Sequence, residues 1–160
     1  MDFIPATPAH YAGIAALIPD AQALYLVHPA GHFPWDAEQL DRLARERSHL
    51  TVGLIDGRVQ AFANLYQLVP ERSAFLGNVV VAQGRRGQGL GEALVRHMLG
   101  VCDGLGVQPH LSVFASNSRA LLLYRKLGFM PYEVEARLDL QGQRQALLHL
   151  RRPGWQQAPA

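Results

Sequence analysis

At 160 residues and a formal charge of +2, the chain suits one domain with a sizeable core, and its charge alone does not call for a nucleic-acid partner. Its single cysteine, Cys102, excludes an intramolecular disulfide and fits a reducing compartment. No apolar run approaches the ~20 residues of a membrane span, and residues 1–5 lack the features of a signal peptide. The expectation is therefore a soluble, cytoplasmic protein that engages neither membrane nor nucleic acid.

Asp2 to Ala6 reads as a short edge strand limited by Pro5. Thr7-Pro8 starts a helix that turns Tyr11, Ile14, Ala15, Leu17 and Ile18 inward and ends before Pro19. From Tyr25 to Trp35 two prolines and a glycine predict an irregular loop. It carries Tyr25, His28, His32, Phe33 and Trp35, an unusual density of rings for a loop, and is a candidate pocket wall. Asp36 caps a second helix with Leu40, Leu43 and Ala44 on its apolar stripe. Leu50 to Ile55 is a strand, Asp56-Gly57 a hairpin turn, and Val59 to Leu68 the returning strand, with Phe62, Asn64 and Tyr66 on one face. Ala74 to Ala82 completes an antiparallel meander.

A Gly- and Arg-rich loop, Gln83 to Gly91, follows, and a helix from about Gly89 to Leu105 places Leu90, Leu94, Met98 and Cys102 at helical spacing. Leu111 to Phe114 is again a strand, so strand, helix and strand form a unit whose two strands run parallel. Asn117 or Ser116 caps a helix from Ser118 to Leu127, stopped by Gly128. Tyr132 to Leu140 and Ala146 to Leu150 form a closing hairpin. The domain spans residues 1–150, and 151–160 read as a polar tail.

A strand that ends on glycines at a helix start leaves backbone amides free to hold an anion, in the favourable field of the helix dipole. Gly84 and Gly89 have the outer spacing of a nucleotide P-loop, but Leu90-Gly91 stands where Lys-Ser/Thr is needed. Both registers of the dinucleotide fingerprint fail, at Glu92 and at Leu94. The sequence Arg86-x-x-Gly89-x-Gly91 remains. Downstream, Asn117, Ala120 and Tyr124 lie at i, i+3 and i+7, one face of one helix, before Gly128-Phe129.

These two segments resemble the GNAT N-acetyltransferase superfamily, in its R/Q-x-x-G-x-G/A loop and its N-x-x-A-x-x-x-Y-x-x-x-G-F segment. The resemblance implies an α+β fold with a mixed sheet of six to seven strands, splayed central parallel strands and about four flanking helices. It implies an acetyl-CoA-dependent transfer of acetyl to a primary amine of a small molecule or peptide, by direct attack in a ternary complex, with acetyl-CoA as donor and no metal. The pantetheine arm would lie along Val79, Val80 and Val81, and the pyrophosphate on Arg86, Gly87, Gln88, Gly89, Leu90 and Gly91. Asn117 and Ala120 would flank the arm, and Tyr124 would protonate the leaving thiolate. A homodimer is allowed for this chain.

Tyr25, His28, Phe33, Trp35 and Asn78 are the candidate acceptor contacts. Many relatives carry a glutamate on the strand before the loop as general base, whereas Ala74 to Val79 has no carboxylate here. Glu71, His28, His32, His110 and Glu133 remain as alternatives for that role. A non-catalytic CoA-binding sensor is the alternative function.

Overall fold

The computed structural model describes residues 1–154. Seven strands form one mixed sheet: β1 (Asp2–Pro5), β2 (Ser48–Ile55), β3 (Arg58–Val69), β4 (Ser73–Val81), β5 (Gln108–Phe114), β6 (Met130–Leu138) and β7 (Arg144–Arg151), in the spatial order β1-β2-β3-β4-β5-β7-β6. Every neighbouring pair is antiparallel except β4 and β5. The α-helices are α1 (Tyr11–Ala15), α2 (Ala21–Val27), α3 (Ala37–Glu46), α4 (Leu90–Leu105) and α5 (Ser118–Lys126). The sheet is the mixed one expected, with one helix more than the sequence suggested.

That extra helix is α2. Pro29 and Gly31 make the following segment irregular, but Asp20 caps nearly two turns of helix before them, its carboxylate accepting from the Ala23 amide at 2.8 Å. Tyr25 thus belongs to a helix, not a loop. At the other end of the chain β7 continues through Arg151, which belongs to the sheet and not to the tail, and the Arg152 amide donates to the Pro109 carbonyl at 3.2 Å just beyond it. The rest of the predicted tail, 155–160, lies outside the described residues.

Period-2 alternation splits the sheet between two cores. Ala61, Ala63 and Leu65 of β3, Leu76 of β4, and Leu111 and Val113 of β5 pack on Leu94, Met98 and Cys102 of α4 and Tyr124 of α5. Phe62 and Val80 face the other way, onto Ile14, Leu24, Leu40 and Leu43 of α1, α2 and α3. Phe114 points to this second side too, stacked on Tyr25 at 4.8 Å.

The two parallel strands pair only at their beginnings, Ser73 to Leu76 against Gln108 to Leu111. From Gly77 onward β4 stays with β3, while Ser112 to Phe114 stay with β7. The centre of the sheet therefore opens into a wedge. Its cause is local: between Phe62 and Asn64 β3 advances two residues while β4 advances three, from Val80 back to Gly77. This bulge puts Asn78 at φ 49 and bends β4 away from its parallel neighbour.

Candidate active site

A cavity of about 330 Å³ fills the wedge. Its walls come from the end of α2, the diverging strands and one face of α5. Asn117, Ala120 and Tyr124 all line it, as their helical spacing requires. Asn117 is the N-cap residue of α5, yet its side chain makes no capping bond, which leaves the amide free toward the cavity. Tyr124 is buried in the α4/α5 core, with its ring edge on Phe129 at 6.0 Å. Burial raises the Tyr124 phenol well above its ordinary pKa, so it stays protonated and able to donate near neutral pH.

Above the wedge, the loop from Gln83 to Gly89 leads into α4. Gly87 and Gly89 adopt φ 81 and 76, left-handed values that favour glycine. A Cβ added at either would meet nothing within 4 Å, so their outer surface is open. The amides of Gly87, Gln88 and Gly89 donate to no backbone carbonyl of the described residues, and the first helical amides of α4 have no partner within their own helix. Val79 lines the cavity, Val80 is buried on the α1/α3 side, and Val81 packs toward α4.

The expected acceptor residues part company. His28 and Asn78 reach the cavity. Tyr25 does not; it stacks on Phe114 and its hydroxyl donates to the Leu138 carbonyl at 2.8 Å, pinning α2 to β6. Trp35 is buried against Phe62 in the α1/α3 core, and Phe33 is exposed on the surface. Asn78 is committed to internal bonds. Its amide nitrogen donates to the Val27 carbonyl at 2.7 Å, and its oxygen accepts from Arg47 Nη1 at 3.0 Å and from Asn64 Nδ2 at 2.7 Å.

Of the proposed bases only His28 lines the cavity. Burial, helped by the Arg47 cation, lowers its pKa to about 4, so it is a weak proton acceptor at neutral pH. His32, Glu71 and Glu133 are exposed and away from the cavity, and His110 bonds the Tyr132 hydroxyl through Nδ1 at 2.9 Å.

Several polar cavity residues escaped the sequence reading. Arg47 has no carboxylate partner among the described residues; it bonds Asn64 and Asn78 and lies 4.2 Å over the Tyr66 ring. Burial raises the Tyr66 phenol, with Ser112 and Arg47 pulling against it. Ser112 of β5 bonds His149 of β7, and His149 bonds Glu135 of β6. The signal for this set lies in strand alternation: Ser112 interrupts Leu111 and Val113, and His149 interrupts Leu148 and Leu150.

The model of the acetyltransferase (GNAT) family matches residues 16–129 of the chain. The [ribosomal protein bS18]-alanine N-acetyltransferase of Escherichia coli K12 is 34% identical over 113 residues, 69% of this chain and 74% of that one. The crystal structure of the ribosomal-protein-S18-alanine N-acetyltransferase from Escherichia coli superposes with a TM-score of 0.76 at 25% identity, covering 99% of this chain and 95% of that one. A GNAT family acetyltransferase from Elizabethkingia anophelis, a crystal structure with acetyl-CoA bound, shares the fold at a TM-score of 0.67 and 18% identity, covering 94% and 96% of the two chains.

Proposed function

The chain belongs to the GNAT acetyltransferase family, and on that premise we propose that it moves acetyl from acetyl-CoA to the α-amino group of an N-terminal alanine in a peptide or protein. Within a protein chain an alanine has one acetylatable nitrogen, its α-amine at the N-terminus. The similarity to alanine N-acetyltransferases therefore favours a terminal amine over a lysine. The observation that carries the reading is the wedge itself, lined by Asn117, Ala120 and Tyr124 and opening below a glycine-rich helix start.

The donor would bind with its pyrophosphate on the amides from Gly87 to Gly91, with Arg86 beside it. The pantetheine arm would occupy the edge of β4 that lacks a parallel partner, along Val79 to Val81, with Asn117 bonding its amides and Ala120 leaving room. The amine then attacks the thioester carbonyl directly, and Tyr124 gives its proton to the departing sulfur. An α-amine suits this chemistry: its pKa of about 7.7–8.0 makes deprotonation at about pH 7 cost roughly 1 kcal/mol, against over 4 for a lysine.

The test is thiol release from acetyl-CoA with a panel of short peptides beginning with alanine, a matching N-terminally blocked lysine peptide, and small amines. Turnover confined to the free α-amines supports the reading. Preference for the lysine peptide refutes the acceptor assignment, and CoA binding without turnover on any amine refutes the catalytic one.

A further inference from the structure

β4 carries no carboxylate, so the proton leaving the amine needs another acceptor, and the wall of the wedge opposite Tyr124 holds a continuous hydrogen-bonded chain. Ser112 Oγ lies 2.6 Å from His149 Nδ1, and His149 Nε2 lies 3.0 Å from Glu135 Oε2. Ser112 and His149 both line the cavity. Glu135 is steadied from its other oxygen by Arg137. A carboxylate only accepts, so Nε2 carries the hydrogen. Nδ1 of the neutral ring is then an acceptor, and it takes the Ser112 hydroxyl hydrogen. That directs the lone pairs of Ser112 Oγ away from the ring, toward the cavity that it shares with the Tyr66 phenol, its other hydrogen-bond neighbour.

The placement suits a nucleophile. Leu111 and Val113 face the core that contains Tyr124, whereas Ser112 and Phe114 face the α2 side. Tyr124 and the chain through Ser112 thus stand on opposite sides of the sheet, meeting at the gap.

Resting on the acetyltransferase reading, we propose that Ser112, His149 and Glu135 form the proton-accepting relay for the acceptor amine, which enters from the α2 side. The ammonium form gives one proton to Ser112 Oγ while Ser112 passes its own to His149 Nδ1, leaving a neutral amine and an imidazolium paired with Glu135. The nitrogen lone pair forms the C–N bond, the C–S bond breaks, and the sulfur keeps that electron pair. The thiolate takes a proton from Tyr124, which recovers one from the acylated nitrogen. The imidazolium returns the first proton to solvent.

The charged and titratable groups around His149 are Ser112 and His110 on β5, Tyr132, Glu133, Glu135 and Arg137 on β6, Tyr66 on β3 and Arg151 on its own strand. Glu135, through the direct Nε2 contact, is the one that stabilises the imidazolium.

The experiment measures kcat/KM against pH with acetyl-CoA and an alanine-terminated peptide. Ser112→Ala and His149→Gln are each expected to lose about a hundredfold at about pH 7, and Glu135→Gln about tenfold. The loss should shrink to within about threefold at about pH 9, where the α-amine is already neutral. KM for acetyl-CoA should not move, and Ser112→Thr, which keeps the hydroxyl, should recover most of the rate. Wild-type turnover with unchanged variant profiles, or a loss equal at both pH values, overturns the relay alone. A wild type inert toward every amine overturns the acetyltransferase reading and the relay with it. Glu135 is half-exposed on the hairpin, so its variant reports on the chemistry even where a strand-interior substitution perturbs folding.

Discussion

Replacing Asn78 separates two costs that its side chain and backbone carry together. Asn78→Ala strips the donor from the Val27 carbonyl and the acceptor from Asn64 Nδ2, and leaves Arg47 with one side-chain oxygen in place of two. Each buried group left without a partner costs about 1–3 kcal/mol. An alanine held at φ 49 adds about 1–2 kcal/mol of backbone strain. The expected loss is roughly 3–8 kcal/mol, a large share of the 5–15 kcal/mol typical of a domain. Asn78→Gly loses the same bonds but not the strain. Glycine should therefore be the more stable of the two by about 1 kcal/mol, or about 2–4 °C in Tm for a chain of this size, although it removes more atoms. Urea unfolding followed by far-UV circular dichroism at constant pH reads both. An alanine variant as stable as the glycine one shows that the left-handed backbone is not enforced. A loss below about 1 kcal/mol in both shows that the Arg47, Asn64 and Val27 network does not hold the bulge.

Two other outcomes follow from the cavity. Tyr124→Phe should lower kcat by about a hundredfold while leaving CoA affinity within about twofold, read by thiol release and by calorimetric titration; undiminished turnover removes the phenol as proton donor. His28, with a pKa near 4 in the folded chain against 6.5 when unfolded, takes up its proton first in the unfolded state as pH falls. Its contribution is complete above about pH 6.5 and is lost toward about pH 4, by up to roughly 2–3 kcal/mol, so the gap between wild type and His28→Gln in urea midpoints should close across that window.

The parts of the site that the sequence disclosed are those encoded at short range. Asn117, Ala120 and Tyr124 fall on one helical face by spacing alone, and the glycines before α4 announce a tight turn into a helix. The acceptor side depends on pairings that cross the chain. Ser112 and His149 are 37 positions apart and meet only because β7 inserts between β5 and β6. Arg47 reaches Asn78 across 31 positions, through a bulge that no local pattern specifies. The aromatic residues from Tyr25 to Trp35 misdirected attention for a physical reason: a loop rich in rings lines a pocket only when the rings lack a core to enter. Trp35 has one in Phe62, and Tyr25 has one in Phe114. The glutamate that many relatives carry before the loop has no counterpart on β4, and the polar groups lie on the far bank of the wedge.

If the bulge opens the wedge, removing it should close the wedge without dismantling the core. Gly77 and Asn78 both face the α2 side, since a Cβ on Gly77 would fall 2.3 Å from Arg47 Nη1 and Asn78 bonds that same guanidinium. Leu76, Val79 and Val81 face α4, and Val80 faces α1 and α3. Deleting Asn78 therefore restores strict alternation from Leu76 to Val81, with every apolar side chain on its present side. It also equalises the residue count between the two pairings that flank the bulge, Phe62 with Val80 and Asn64 with Gly77. The shortened β4 loses its extra bend and can continue alongside β5 past Leu111. Loss of the Asn78 bonds should lower stability by about 2–6 kcal/mol, less than in Asn78→Ala because no residue is left strained. The deletion variant should fold, retain its far-UV spectrum, and bind CoA at least about tenfold more weakly (about 1.4 kcal/mol), measured by calorimetry. Undiminished CoA affinity in a folded deletion variant refutes the bulge as the cause of the splay.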